Sequence, residues 1–282
     1  MDWNKSNTIL IIAFIILNIF LFTSSYNDIF SEDYNVNSDA KFIENLKEVL
    51  SEKNITISRE LPQETYILPM LETEYEIINI NNELLERFLG AGIEPIADVT
   101  IYNNDKGEEL EIKDGKKLCY TVREKVSGKI DSLDKIDNYI NQFIKEKSIN
   151  REDYNESFRY ISDDGAIVNF TKSYNNFSID NSYMSFHIDK NGIYKFEIQN
   201  IVVIKEIADK IRTFSAAEAL PRIMTYNDIE NKEITDIVMT YYSDEAENWQ
   251  FILGINSYPV WKVIFSDGTY KHLTNINFQK ID

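Results

Sequence analysis

The stretch that most limits what this chain can become is ILIIAFIILNIFLF, Ile9 to Phe22, in which twelve of fourteen residues are Ile, Leu or Phe and the other two are Ala13 and Asn18. At about −0.3 to −0.6 kcal/mol for each strongly apolar residue, its insertion into a bilayer is favoured by about 4 to 7 kcal/mol before position and Asn18 are discounted. As a helix the run alone reaches about 21 Å, short of a hydrocarbon core of about 30 Å. Extended to the amphipathic aromatics Trp3 and Tyr26 it reaches about 34 Å, with a ring at each interface. The sequence therefore predicts a short cytoplasmic tail (1–6), a transmembrane helix (7–26) and a juxtamembrane linker (27–37). Trp3, Lys5 and Tyr26 are its membrane-interface anchors.

Orientation follows from charge. Lys5 and the amino terminus stand on one side of the run and Asp28, Glu32 and Asp33 on the other. Positive residues stay inside, so the bulk of the chain is expected outside the cell membrane. The competing reading is a cleaved signal peptide, with Thr23 and Ser25 at the −3 and −1 positions. Against it, the apolar run is long for a signal and no Ala-x-Ala follows.

Asn18 makes the helix more than an anchor. At 100° per residue, Asn7, Ile11, Phe14, Asn18, Leu21 and Ser25 fall along one stripe. Polar stripes in membrane helices meet other helices, where each hydrogen bond is worth about 0.6 to 2 kcal/mol. These six residues are the expected contact with a transmembrane partner; an Asn18 facing lipid or headgroup water is the plainer alternative.

Bulk properties remove several classes of function. A formal charge of −18 repels phosphate backbones, so no nucleic acid partner is expected. With Cys119 the only cysteine, an intramolecular disulfide is excluded, and its place in the strand-like KKLCYTV reads as a buried, inert thiol. Of the two histidines, His187 alternates with Met184, Phe186 and Ile188, and His272 sits in a hairpin strand; both read as surface or cross-strand residues. Asp163-Asp164, Asp244-Glu245 and Glu247 read as solvated turn charges rather than a glycosidase pair. Asp189-Lys190-Asn191-Gly192 reads as a turn, because the remaining ligands of a calcium loop are missing. No catalytic residue, metal site or cofactor is expected.

The exterior reads as α+β, two mixed α/β units with largely antiparallel sheets, 38–126 and 127–282. In the first, helical spacing of Phe42, Ile43, Leu46, Val49 and Leu50 predicts a helix capped by Ser38 or Asp39. A strand at Ile55–Ile57, an extended Tyr66–Ile80, a helix from Asn82 to Leu89 and a hairpin around Asp114-Gly115 follow. The second opens with a helix near Asp131–Lys147, continues as an antiparallel meander from Ala166 to Ile204, and carries a capping box of Ser215 with Glu218 before a helix to Met224. Strands near Glu233–Tyr242 and Trp249–Ile255 and a hairpin around Asp267-Gly268 complete it. The aromatics between Tyr154 and Phe196, with Trp249 and Trp261, read as core more readily than as a peptide-binding face.

Two segments carry a family resemblance. M-D-W-N-K-S-N-T-I at Met1 to Ile9, followed by I-I-L-N-I-F-L at Ile15 to Leu21, resembles the amino terminus of the YycI family, and S-Y-P-V-W-K-V at Ser257 to Val263 is similar to that family's Pro-x-Trp-Arg-Ile segment, with Lys262 in place of arginine. The resemblance implies a non-enzymatic regulator of the WalK/YycG two-component system of low-GC Gram-positive bacteria. It further implies that the membrane helix lies beside those of the membrane sensor histidine kinase, with a YycH-like partner, and adjusts autophosphorylation. The alternative is a tethered extracytoplasmic binding module for a cell-wall or peptide ligand.

Overall fold

Strand pairing, more than helix packing, organises this protein. The structure, a computed structural model, describes residues 40–244 and 254–273. The chain divides into two units, 1–46 and 47–282, and of the first only the opening residues of helix α1 (Ala40–Ser51) are described. The predicted tail, membrane helix and linker all lie outside the described residues, as do 249–253 of the strand expected near Trp249. Among the described residues, no helix is long and apolar enough to cross a membrane.

After α1 the chain forms β1 (Thr56–Ile57), β2 (Ile67–Tyr75), α2 (Asn82–Leu89), β3 (Ile101–Asn103), β4 (Glu109–Lys113), β5 (Lys117–Thr121) and α3 (Leu133–Glu146). Then come β6 (Tyr154–Ser162), β7 (Gly165–Tyr174), β8 (Phe177–Asp189), β9 (Gly192–Gln199) and β10 (Ile201–Arg212). A short α4 (Ala216–Ala219) runs into a 3-10 turn (Leu220–Thr225), and β11 (Glu233–Tyr242), β12 (Gly254–Phe265) and β13 (Tyr270–Leu273) close the described chain. The fold is mixed α/β, few helices on one large sheet of thirteen strands. Among the described residues, only β1 with β11 and β8 with β11 pair in parallel.

Local chemistry sets the helix ends. The Asn81 side chain accepts the Leu84 N–H at 2.8 Å to start α2, and Gly90 at φ +92° stops it. Ser132 caps α3, and Ile136, Ile140 and Phe143 recur on its buried face. The predicted capping box of Ser215 and Glu218 is formed, but the α-helix behind it is one turn long before Pro221 and the 3-10 segment. The Asp-Gly hairpins fall where predicted, between β4 and β5 and between β12 and β13. Strands β3 and β6 were not among the expected elements.

The boundary expected near residue 126 separates neither sheet nor core. One core runs from Leu84 to Phe196: α2 and α3 cover one face of β4, β5, β7, β8 and β9, with Phe143 against Phe196 at 5.3 Å and Phe186 against Phe196 at 4.9 Å. A second set of strands joins the chain's early and late segments, since β2 lies between β10 and β12. Tyr75, Ile201 and Ile255 pack there together. Trp261 is 1% exposed and donates its indole N–H to the Phe214 carbonyl at 2.8 Å, a core residue as expected. Strand β8 belongs to both regions, pairing with β11 at Ser178–Ile179 and with β9 from Tyr183 to Asp189.

Candidate functional site

The sequence-predicted transmembrane contacts Asn7, Ile11, Phe14, Asn18, Leu21 and Ser25, and the anchors Trp3, Lys5 and Tyr26, lie outside the described residues. A different site emerges from the strand alternation of β8.

Successive side chains on a strand point to opposite faces. Met184, Phe186 and Ile188 enter the first core, which leaves Tyr183, Ser185 and His187 on the other face. Neighbouring strands extend that second face with Ile167, Asn169 and Thr171 from β7, Glu197 from β9 and Lys117 from β5. It is not bathed in solvent. The β12–β13 hairpin reaches over it with Lys262, Gly268 and Tyr270, and β6 adds Ser157 and Phe158, so that a partly open cavity of about 330 Å³ forms between them. Phe158 and Tyr270 meet edge to face at 6.1 Å along its rim.

Two ion clusters converge on this cavity. In the deeper one, Asp180 and Lys262 have side chains only 4% and 5% exposed and pair at 3.0 Å. Asp180 also receives His272 at 2.6 Å, the Thr240 hydroxyl at 2.9 Å and the Ser178 hydroxyl at 3.2 Å. Tyr242 stacks on the His272 ring at 3.7 Å. Burial pushes the Asp180 carboxyl up, but the Lys262 charge and the His272 hydrogen bond outweigh it and hold the group well below the usual carboxylate range.

In the second cluster Glu197 meets Lys117 and Lys195, each at 3.1 Å, and His187 at 3.7 Å. Burial again opposes ionisation, and the approach of His187 with the charges of Lys117 and Lys195 overcomes it, so Glu197 is held low. Lys117 is drawn down by burial and raised further by Tyr183 and Glu197, and remains an ammonium. Cys119 is buried in β5, 3.4 Å from Glu197, and burial lifts its thiol to about 11. It is the inert thiol expected.

Ser185 Oγ lies 3.3 Å from His187 Nε2, and Glu197 faces the same ring. Both contacts use Nε2. A Ser-His-acid relay needs the serine and the acid on opposite ring nitrogens, so this geometry is not one. Among the described residues no group of His, Cys, Asp or Glu is arranged to hold a metal ion. Asp189, in the turn between β8 and β9, is engaged by the Arg123 guanidinium at 2.5 and 2.6 Å and by the backbone N–H groups of Val126 and Asn191. Asp163 and Asp164 are exposed and pair with Lys129 and Lys125.

The sequence reading placed His187 and His272 at the surface or across strands; the structure puts His187 on the cavity wall and His272 in the ion cluster behind it. The signal was present in S-I-D-N-S-Y-M-S-F-H-I-D, Ser178 to Asp189. A solvent-facing strand favours Lys and Glu at alternate positions, whereas these are hydroxyl, aromatic and imidazole groups, suited to a half-buried polar surface. Phe158, Phe170, Phe186 and Phe196 are core, as expected of the aromatic stretch.

A family model described as YycI protein matches residues 34–277. No curated protein matches the chain. Among solved structures, YycH from Bacillus subtilis is similar at 12% identity and a TM-score of 0.53, over 84% of this chain and 62% of that one. An uncharacterized protein from Eubacterium rectale ATCC 33656 is similar at 12% identity and a TM-score of 0.48, over 84% and 94%. The C-terminal domain of Bacillus megaterium YpeB follows at 11% identity and a TM-score of 0.35, over 68% and 96%. The likeness to YycH is one of fold, and this chain spans less than two thirds of the YycH chain.

Proposed function

The chain belongs to the YycI family, and on that premise we propose that it is a non-enzymatic regulator of the YycFG two-component system, anchored in the cell membrane by a single helix with its amino terminus cytoplasmic. The observation that carries this reading is the family match over residues 34–277. The fold it shares with YycH supports a YycH-like protein as partner. Regulation requires that the protein bind one state of a WalK/YycG-like kinase better than another, and a difference of about 1.4 kcal/mol shifts that equilibrium about tenfold. The stripe through Asn18 is the proposed contact. Kinase autophosphorylation in vesicles, with the full chain and with Asn18→Leu, tests this: the substitution is expected to weaken the response. An unchanged response removes Asn18 from the mechanism.

The cavity under the β12–β13 hairpin favours a second reading, a tethered binding module whose exterior receives a ligand. Replacing residues 7–26 by an unrelated membrane span separates the two. The binding module keeps its activity, whereas regulation through the membrane helix is lost.

A further inference from the structure

The cavity under the β12–β13 hairpin has an uneven store of hydrogen-bonding capacity. Its deeper carboxylate is spent. Asp180 Oδ2 is shared by Lys262 and His272 and Oδ1 by Ser178 and Thr240, which uses about the four acceptor positions a carboxylate offers. Glu197 is used on one side: Oε1 meets Lys117 and Lys195 at 3.1 Å, while His187 approaches Oε2 no nearer than 3.7 Å. The cavity's deeper ammonium group is not spent. Each lysine has three N–H donors, and among the described residues the one oxygen that Lys262 meets is Asp180 Oδ2. The rest of its surroundings are rings, Tyr270 at 4.2 Å and Phe158 at 6.0 Å. One acceptor is also unspent: Asn169 lines the cavity, and its Oδ1, turned away from solvent, has no hydrogen-bond partner, so a rotation of the amide brings a free acceptor to the wall.

An occupant of this space therefore has to accept from ammonium groups and donate to an amide oxygen. Its charge is limited too. The wall groups Lys117, Lys262, Asp180 and Glu197 sum to zero, so the cavity takes a single negative charge more readily than the two of phosphate. About 330 Å³ exceeds the carboxylate alone and lies in the range of small-ligand sites, with Phe158, Ile167 and Tyr270 as apolar wall.

We propose that this cavity binds a small organic carboxylate, about the size of a dipeptide or tripeptide, that carries an N–H or O–H donor near its carboxylate. The carboxylate sits at Lys262 and Lys117, the donor reaches Asn169, and the body lies against Phe158 and Tyr270. A peptide carboxy-terminus and a hydroxy acid share this chemistry. The inference goes beyond kinase regulation and is read by direct binding, so it stands or falls apart from it.

Calorimetry on the full chain in detergent micelles tests it with N-acetylglycylglycine as the peptide carboxylate, lactate as the singly charged hydroxy acid, and N-acetylglycylglycinamide and inorganic phosphate as controls. Saturable binding is expected from at least one carboxylate, and which one responds identifies the source. The amide and phosphate are expected to bind at least tenfold more weakly. Lys262→Met is expected to weaken binding at least tenfold. Because that change strands the Asp180 carboxylate, Asn169→Leu, which leaves both ion clusters intact, provides the second variant, with an expected loss of about fivefold or more and the fold checked by circular dichroism. The proposal is overturned by no saturable binding of either carboxylate at 10 mM, by equal binding of the amide or phosphate, or by a folded Asn169→Leu variant that binds as tightly as the parent.

Discussion

Asp180 is paired with Lys262 and His272 at 4% side-chain exposure, and its substitution has a clear expected direction. Removing one member of a buried pair leaves the other charge without compensation, at a cost of about 3 to 5 kcal/mol. Asp180→Asn is expected to destabilise by that order in thermal or urea unfolding, because Lys262 remains 5% exposed with a neutral neighbour. Acid acts on the same groups. Asp180, Glu197 and Asp189 all titrate below the ordinary carboxylate value in the folded protein, Asp189 through the hydrogen bonds of Arg123, Val126 and Asn191 that overcome its burial. A folded value below the unfolded one gives stability that is complete above about pH 4 and lost as pH falls through the folded values. Melting temperature is thus expected to be insensitive to these groups from pH 7 to 5 and to drop below about pH 4; a melting temperature unchanged down to pH 2 would contradict it. At this scale the sequence was legible for apolar residues, such as Trp261, and not for charged ones. Lys262 beside a buried tryptophan looks like any strand lysine, because the carboxylate that justifies its burial is 82 positions away in β8.

Hairpins and helix ends are the elements whose chemistry is local: the two Asp-Gly turns and the Ser215 capping box were legible because they act within a few residues of themselves, whereas the caps Asn81 and Ser132 were not among the expected features. Two glycines show how differently such positions respond to substitution. Gly165, at φ +133° where β7 begins, has no room for a Cβ, which would collide with the Ile188 carbonyl oxygen in the neighbouring strand. Gly268, at φ +82° in the last hairpin, would press its Cβ into the Tyr160 ring. A half-buried ring can swing, whereas a backbone carbonyl in a strand ladder cannot. Gly165→Ala is therefore expected to cost about 3 kcal/mol or more and Gly268→Ala nearer 1. Thermal denaturation of the two variants measures the difference, and the reverse order would show the hairpin to be the stiffer element. Strand partners were not legible at this scale. Alternation tells which side chains share a face, but not that β2 lies between β10 and β12, and so not that the outward face of β8 is roofed.

Over the whole molecule, 47 acidic and 29 basic side chains leave a net charge of −18, and this repulsion works against the folded state. Raising salt from 20 to 200 mM shortens the screening length from about 20 to about 7 Å. The melting temperature is expected to rise by a few degrees, since exposed charges are screened more than the buried pairs around the cavity; a fall would mean that ion pairs outweigh the repulsion. Length and composition suggested two successive exterior units with a boundary near residue 126. What they could not reveal is that residues 82–199 build one core as an insertion between segments that pair with each other, because that is a property of non-local pairing. The embrace of β2 by β10 and β12 has a consequence in time. Glu74 faces Val202 on one side and Gly254 on the other, the latter about 180 positions later. At about 5 to 20 residues per second of synthesis, β2 waits on the order of ten to forty seconds for its last neighbour. The inserted core, whose strands are complete by Gln199, is free to form meanwhile, so the newborn chain holds one of its earliest strands open and closes it with one of its latest.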